Sequence, residues 1–254
     1  MLADYERELD VTDEAIRALP DILTVRSAQV RALVALGRLD EVNRVVDESL
    51  AERSRVGTPG GLMVQAAMEL RAHGHREEAL RLAARAADWL RGRPPSEQAR
   101  EGHRSALEGA LKAGEVWDDA RAVYEAHAEA HPVGEGARGS AEAQGAGEPE
   151  SQRLSRAIDY LGALGTLAAR RGDRVEALRI SDALARIEAP FLFGRPAFGR
   201  ACIAALLGER QRAVDHLRES IAQGNSYDAS LHCDMDLESL RDYPPFVELL
   251  RPKG

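Results

Sequence analysis

The chain has 254 residues, of which 44% are hydrophobic, 30% charged and only 4% aromatic, a composition that favours helices over sheets. The net charge is −8, and residues 1–150 carry 19 basic against 28 acidic residues, a net −9, so a nucleic-acid backbone is an unfavourable partner. Two cysteines do not make a disulfide framework. MLADYERELD has no apolar run, so it does not resemble a signal peptide, and no stretch of 18 apolar residues is present that would predict a membrane span. We expect a soluble cytoplasmic protein without a cofactor.

The first predicted element is a single helix in ADYERELDVTDEAIRALPD, followed by Pro20. Its Ala15 and Pro20 have the spacing found in the second helices of the pairs further along, but no first helix precedes it. A repeat array does not normally begin with half a unit. The pattern therefore predicts that the chain is the C-terminal part of a longer protein, with an exposed apolar face near Leu9 and Leu19.

Five helix pairs follow, each with a similar short phrase at its central turn. The phrases are LGRLDEV (36–42), HGHREEA (73–79), AGEVWDDA (113–120), RGDRVEA (171–177) and LGERQRA (207–213). A glycine ends each first helix because it adopts the left-handed C′ conformation without a Cβ clash: Gly37, Gly74, Gly114, Gly172 and Gly208. A small residue then lets the second helix approach the first: Val42, Ala79, Ala120, Ala177 and Ala213. The glycine intervals of 37, 40, 58 and 36 residues indicate a structural repeat with one insertion.

This pattern resembles the tetratricopeptide repeat (TPR) family, whose repeat reads W-x₂-L-G-x₂-Y…A-x₃-F…P. Residues 161–168, LGALGTLA, match its first half, and Ala120, Tyr124 and Pro132 match its second half. The tryptophan position is occupied instead by Arg26, Met63, His103, Leu161 and Ala197. The resemblance covers residues 1–224 apart from the insertion. It implies an all-α, right-handed TPR-like α-solenoid of antiparallel helix pairs, which binds a protein or peptide along the concave face of its first helices.

The resemblance also implies a set of concave-face residues, obtained by transferring the TPR groove positions to the glycine register. They are Ser27, Arg31, Val64, Met68, Arg104, Glu108, Gly162, Thr166, Phe198 and Cys202. The set lacks the ordered Lys, Asn and Arg with which some TPR proteins clamp a chaperone's carboxylate terminus, and its centre is apolar. The implied ligand is an apolar or helical protein segment, and self-association is a further expected contact.

Two histidine patterns lie on the predicted helix pairs. In HAEAH, His127 and His131 are spaced to share a metal ion, but a catalytic zinc helix needs its glutamate directly after the first histidine. A structural zinc site would need two further ligands nearby. We therefore interpret HAEAH as a by-product of the repeat. HGHREE at 73–78 is interpreted as a solvated turn with acids in the first turn of the next helix.

The insertion predicts a linker at 133–150 between two sub-arrays, residues 1–132 and 151–224. Its GEGARG (134–139) fits G-x-G-x-x-G, but a dinucleotide site needs a strand before the motif and a helix opening at it. Here the end of a helix, AEAHP, precedes it and a Gly/Ala/Glu-rich stretch follows. The interpretation is a flexible loop.

All four phenylalanines lie near the C-terminal end, three of them in FLFGRPAFGR (191–200). We favour the interpretation that these rings seal the core between repeats. The alternative is an aromatic-plus-arginine anchor, because these residue types are enriched at binding hot spots.

Residues 225–254 are predicted to form a C-terminal cap. Five apolar residues in DLESLRDYPPFVELL would cover the exposed face of the last helix pair, as a solenoid requires: Leu237, Leu240, Phe246, Leu249 and Leu250. The preceding SLHCDMD (230–236) is predicted to be a loop.

The sequence thus predicts a non-enzymatic protein–protein interaction scaffold. Two other functions stay open. One is a cis-acting regulatory tail of a bacterial signalling protein, such as a kinase or a transcription regulator, which the resemblance and the half repeat suggest. The other is an enzyme or metal-binding protein on a helical-repeat scaffold, in which His232, Cys233 and Asp234 would form the active cluster.

Overall fold

The prediction of an all-α chain is confirmed. Within the part that the structure describes, every helix or strand element is helical, and Ile22 and Val56 form an isolated parallel bridge. The chain divides into two compact units, Met1–Ala120 and Arg121–Gly254. The predicted subdivision at residues 132 and 150 stays a prediction. The computed structural model describes residues 4–51, 54–130, 150–226 and 230–251.

The first unit contains α1, two complete helix pairs and the first helix of a third pair. Its helices are α1 (Tyr5–Ala18), α2 (Val25–Ala35), α3 (Leu39–Ala51), α4 (Pro59–Ala72), α5 (Arg76–Arg91), the short α6 (Pro95–Gln98), α7 (Glu101–Ala113) and the start of α8 (Trp117–Ala130). Helix α4 packs against its own partner α5 and against α2 and α7, while α5 packs against α7. Each first helix therefore contacts the first helix of the next pair, as stacking of a helical repeat requires.

The second unit repeats this order of contacts. Its further helices are α9 (Glu150–Arg170), α10 (Arg174–Ala185), α11 (Arg195–Leu206), α12 (Arg210–Ala222), α13 (Ser230–Cys233), a 3₁₀ helix (Met235–Leu240) and α14 (Pro244–Leu250). Helix α9 packs against α10 and α11, and α11 packs against α12. Helices α9 and α11 approach closely at Gly162 and Gly199, where a Cβ on Gly162 would lie 3.5 Å from the other glycine's Cα.

The predicted turn glycines have the expected conformation at four of five turns. Gly37, Gly74, Gly172 and Gly208 all have φ between 71° and 87°. The prediction is wrong at Gly114, which has φ −80°, while Glu115 takes the left-handed conformation at φ 58°. That turn is one residue longer, and the Glu115 carboxylate is held by Arg71 and Arg76. Two ion pairs thus stabilise a conformation that glycine adopts elsewhere without help.

Helix α1 is less exposed than predicted. Leu9 is only 8% exposed, so the expected apolar face is wrong at that position, although Leu19 is 43% exposed. Helix α1 packs against α2, and the ion pair between Glu8 and Arg31 joins the two helices.

The predicted packing of the C-terminal apolar residues is confirmed, while the bounds of the cap at 225–254 stay a prediction. Leu237, Leu240 and Phe246 are buried against α11 and α12, with Leu249 and Leu250 partly buried beside them. The predicted loop at SLHCDMD is wrong, because Ser230–Cys233 is helical and Met235–Leu240 forms the 3₁₀ helix. The apolar residues of this segment belong to the core, since Leu231, Cys233 and Met235 are each at most 3% exposed.

None of the described helices combines the length and the apolar character needed to cross a lipid bilayer.

Candidate functional site

A groove of about 790 Å³ lies in the second unit, where the loop between α10 and α11 meets α12. Its walls are mostly apolar, with a polar row on one side. The lining residues run from the end of α10 through the loop to α11, and continue on α12: Leu184, Ala185, Ile187–Gly194, Pro196, Ala197, Arg200, Glu219 and Gln223.

Two phenylalanines on the loop are open to solvent. Phe191 is 72% exposed and Phe193 is 56% exposed, and their ring centroids lie 6.3 Å apart. Leu192 between them is 7% exposed and packs into the core of α9, α10 and α11. The favoured sequence interpretation, that these rings seal the core, is therefore wrong for Phe191 and Phe193. It holds for Phe198, which packs partly buried against the core of α11 and α12.

The loop backbone holds the rings outward in an uncommon conformation. Phe191 and Phe193 have φ of 62° and 47°, and Gly194 has φ of 71°. Bulky residues rarely adopt positive φ, so the surrounding structure must determine the conformation. Ser220 on α12 does so: its hydroxyl donates to the Gly194 carbonyl oxygen over 2.8 Å, and a Cβ on Gly194 would overlap the Ser220 backbone.

The polar row of the groove is organised around Glu219. Gln223 Nε2 donates to Glu219 Oε1 over 3.2 Å, and His216 Nδ1 lies 3.3 Å from Glu219 Oε2. Arg200 Nη1 lies farther away, at 3.7 Å from the same oxygen. Burial, and then the charge of Arg200, lower the pKa of His216.

The ten residues predicted for a concave face lie in both units, and none of them lines this groove. Five of them are buried: Val64, Glu108, Gly162, Thr166 and Cys202. Five are partly exposed: Ser27, Arg31, Met68, Arg104 and Phe198. Arg31 forms an ion pair with Glu8. Their role in binding stays a prediction.

A second cluster brings together Cys202, Asp234 and Asp236, whose candidate ligand atoms all lie within 4.8 Å of one another. The sequence predicted a different cluster, His232, Cys233 and Asp234. His232 is exposed while Cys233 is buried, and neither belongs to the group of close ligand atoms among the described residues.

This second cluster also has a structural role. Arg170 on α9 donates to Asp236 Oδ1 over 2.7 Å and to the Met235 carbonyl oxygen over 3.0 Å. The Asp234 carboxylate accepts the Asp236 backbone N–H at the start of the 3₁₀ helix. These contacts attach the cap to α9.

The histidine patterns have different outcomes. His131 and the side chain of His127 lie outside the described residues, as does GEGARG at 134–139, so those interpretations stay predictions. In HGHREE, His73 and His75 are partly buried rather than fully solvated, and His73 meets the Tyr5 ring edge-on with a centroid separation of 6.5 Å.

The sequence did not predict the groove, but the alternative left open for FLFGRPAFGR, an aromatic-plus-arginine anchor, is compatible with the two exposed rings. In FLF, Leu192 is buried and both neighbouring rings are exposed, with positive φ at Phe191 and Phe193. The following Gly194 marks the close approach that fixes the loop against α12. A comparison with protein-family models gave no match, and a comparison with curated proteins gave none either.

Proposed function

We propose that the chain is a non-enzymatic binding protein, a right-handed TPR-like helical repeat that recognises a protein or peptide partner. The groove of the second unit is its docking site, and the occupant is a protein segment with a large aliphatic or aromatic side chain. The observation that carries this proposal is the pair of exposed rings, Phe191 and Phe193, held over the groove by a constrained backbone.

The energetics favour a binding role for these rings. Positive φ at a bulky residue costs about 1–3 kcal/mol, and such outliers cluster at ligand-binding sites. Burying one phenylalanine side chain contributes about 1.5–3 kcal/mol, so two rings provide an anchor of hot-spot size. Because Ser220 and Gly194 already fix the loop, little ordering entropy is lost on binding.

The order in which the helices pack against one another supports the proposal of a helical repeat. First helices stack on first helices in each unit, as in TPR arrays. Such arrays present extended surfaces whose function is recognition rather than chemistry.

The test is a selection of short random peptides displayed on phage, with the full chain as bait. The wild-type protein should enrich peptides with a large apolar residue, and Phe191→Ala/Phe193→Ala should bind them at least about thirtyfold more weakly. Val175→Ala is the matched control, because Val175 is an 82% exposed apolar residue of the same unit outside the groove. No enrichment by the wild type, or equal losses in both variants, would overturn the proposal.

A further inference from the structure

Arg200, Glu219 and Gln223 form the polar row of the groove, and His216 contacts Glu219 without being part of the lining. Arg200, His216 and Gln223 surround one carboxylate, that of Glu219. Arg200 contributes five N–H groups and cannot accept a hydrogen bond. A ligand placed against this row therefore meets one side chain, Arg200, that can only donate.

Arg200 is the donor with the poorest partner. Its distance of 3.7 Å to Glu219 exceeds the 2.7–3.2 Å typical of N–H···O hydrogen bonds. Its Nε is buried and has no hydrogen-bond partner among the described residues, and the same is true of His216 Nε2. Glu219 is better served, since Gln223 and His216 both lie within 3.3 Å of it.

We propose that the groove selects an apolar side chain flanked by a carboxylate, and that Arg200 is the residue that binds the carboxylate. This inference rests on the proposed function and names the ligand class for the same site. The apolar side chain lies against Phe191 and Phe193. The carboxylate, from an Asp or Glu side chain or a chain terminus, takes the guanidinium that Glu219 holds loosely.

A basic ligand is the competing possibility, because Glu188 and Glu219 also line the groove. Glu219 Oε1 already accepts from Gln223 and Glu219 Oε2 lies 3.3 Å from His216 Nδ1, so a ligand cation at Glu219 would displace these contacts and approach Arg200. A ligand anion displaces only the longer contact of Arg200 with Glu219. At Arg200 the contacts therefore favour an acid, whereas Glu188, the other carboxylate of the lining, is where a basic ligand would bind.

The test uses the same displayed peptide library with wild type and Arg200→Met as parallel baits. Arg186→Met is the matched control, since Arg186 is an exposed arginine of the same unit that does not line the groove. Wild type and Arg186→Met should enrich peptides with an acid close to a large apolar residue, and Arg200→Met should lose the acid preference. In a selected peptide, Glu→Gln should weaken binding to wild type about tenfold and to Arg200→Met hardly at all.

The outcomes separate the two proposals. If selected peptides depend on Phe191 and Phe193 but carry acids no more often on wild type than on Arg200→Met, the function stands and this inference fails. Enrichment of basic peptides would overturn it as well. If wild type selects no peptide that depends on the two rings, the proposed function fails and this inference fails with it.

Discussion

At the scale of single residues, Gly194 determines the shape of the proposed site. It closes the loop that carries Phe191 and Phe193, has a positive φ, and lies against the Ser220 backbone. Gly208 also has a positive φ, of 77°, but a Cβ there would meet no atom within 4 Å. Comparing alanine substitutions at the two glycines therefore separates the free-energy cost of a left-handed backbone from the cost of a steric clash.

We predict that Gly208→Ala lowers the free energy of unfolding by about 1 kcal/mol, the cost of a left-handed alanine. Gly194→Ala should cost at least about twice as much, because its methyl group also displaces Ser220. Chemical denaturation followed by far-UV circular dichroism measures both values. Equal losses would show that the loop does not depend on this close approach.

Two histidines of the second unit predict a pH dependence of stability. Burial, and then Arg200, lower the pKa of His216, while burial, and then Arg241, lower the pKa of His232. The unfolded chain therefore binds more protons than the native chain as the pH falls through about 6.5. Stability is present above that pH and is lost as the pH falls further.

The corresponding variant is His216→Gln/His232→Gln. Between about pH 7.5 and about pH 5.5, its free energy of unfolding should fall less steeply than that of the wild type, because two groups that must remain uncharged in the fold are gone. Denaturation midpoints across this range give the slopes. Parallel slopes for the two proteins would contradict the assignment.

At the scale of elements, arginines at the start of second helices connect successive pairs. Arg76 is the first residue of α5 and pairs with Glu115, and Arg174 is the first residue of α10 and pairs with Glu209; both acids lie in the inter-helix turn of the following pair. Arg210, the first residue of α12, pairs with Asp242 of the cap. Such exposed pairs are each worth about 0–1 kcal/mol. The Arg170–Asp236 pair differs, because Asp236 is only 3% exposed.

We therefore predict unequal effects of removing one arginine. Arg170→Met should destabilise the chain by about 3 kcal/mol, since it removes a cation from a buried carboxylate and releases the cap from α9. Arg174→Met, the matched control from an exposed pair, should cost less than about 1 kcal/mol. Urea denaturation provides the comparison, and similar losses for both variants would refute the structural role of the buried pair.

The same elements show how far the sequence predicts the structure. The turns could be predicted because a glycine at the end of a helix usually has one physical role, which is to adopt the left-handed conformation at C′. Glu115 escaped prediction because its conformation depends on Arg71 and Arg76, which are distant in sequence.

The groove depends on similarly distant contacts. The outward rings require Ser220, which lies 26 residues after Gly194, and local pattern alone does not encode that hydrogen bond. SLHCDMD was predicted as a loop because helices of four to six residues are too short to show a helical period of apolar residues in the sequence.

At the scale of the whole molecule, each of the two units has fully buried side chains of its own. Met63 is fully buried in the first unit, and Leu217 is fully buried in the second. In a repeat array, stability is roughly a sum of local terms and nearest-neighbour contacts. A core defect should therefore act mainly within its own unit.

The chain offers a direct probe of this expectation, since its two tryptophans, Trp89 and Trp117, both belong to the first unit. Met63→Ala and Leu217→Ala should each cost about 2–5 kcal/mol. Tryptophan fluorescence should detect the larger shift for Met63→Ala, whereas circular dichroism should detect both. Identical shifts by the two probes in both variants would indicate one cooperative unit instead.

The most direct test of the central claim is amide hydrogen exchange of the full chain with and without a selected peptide. If the groove is the docking site, protection should increase in residues 184–200 and 210–223, and Phe191→Ala/Phe193→Ala should abolish that increase. Protection over α2, α4 and α7 instead, where Ser27, Met68 and Arg104 of the predicted concave face lie, would contradict the account.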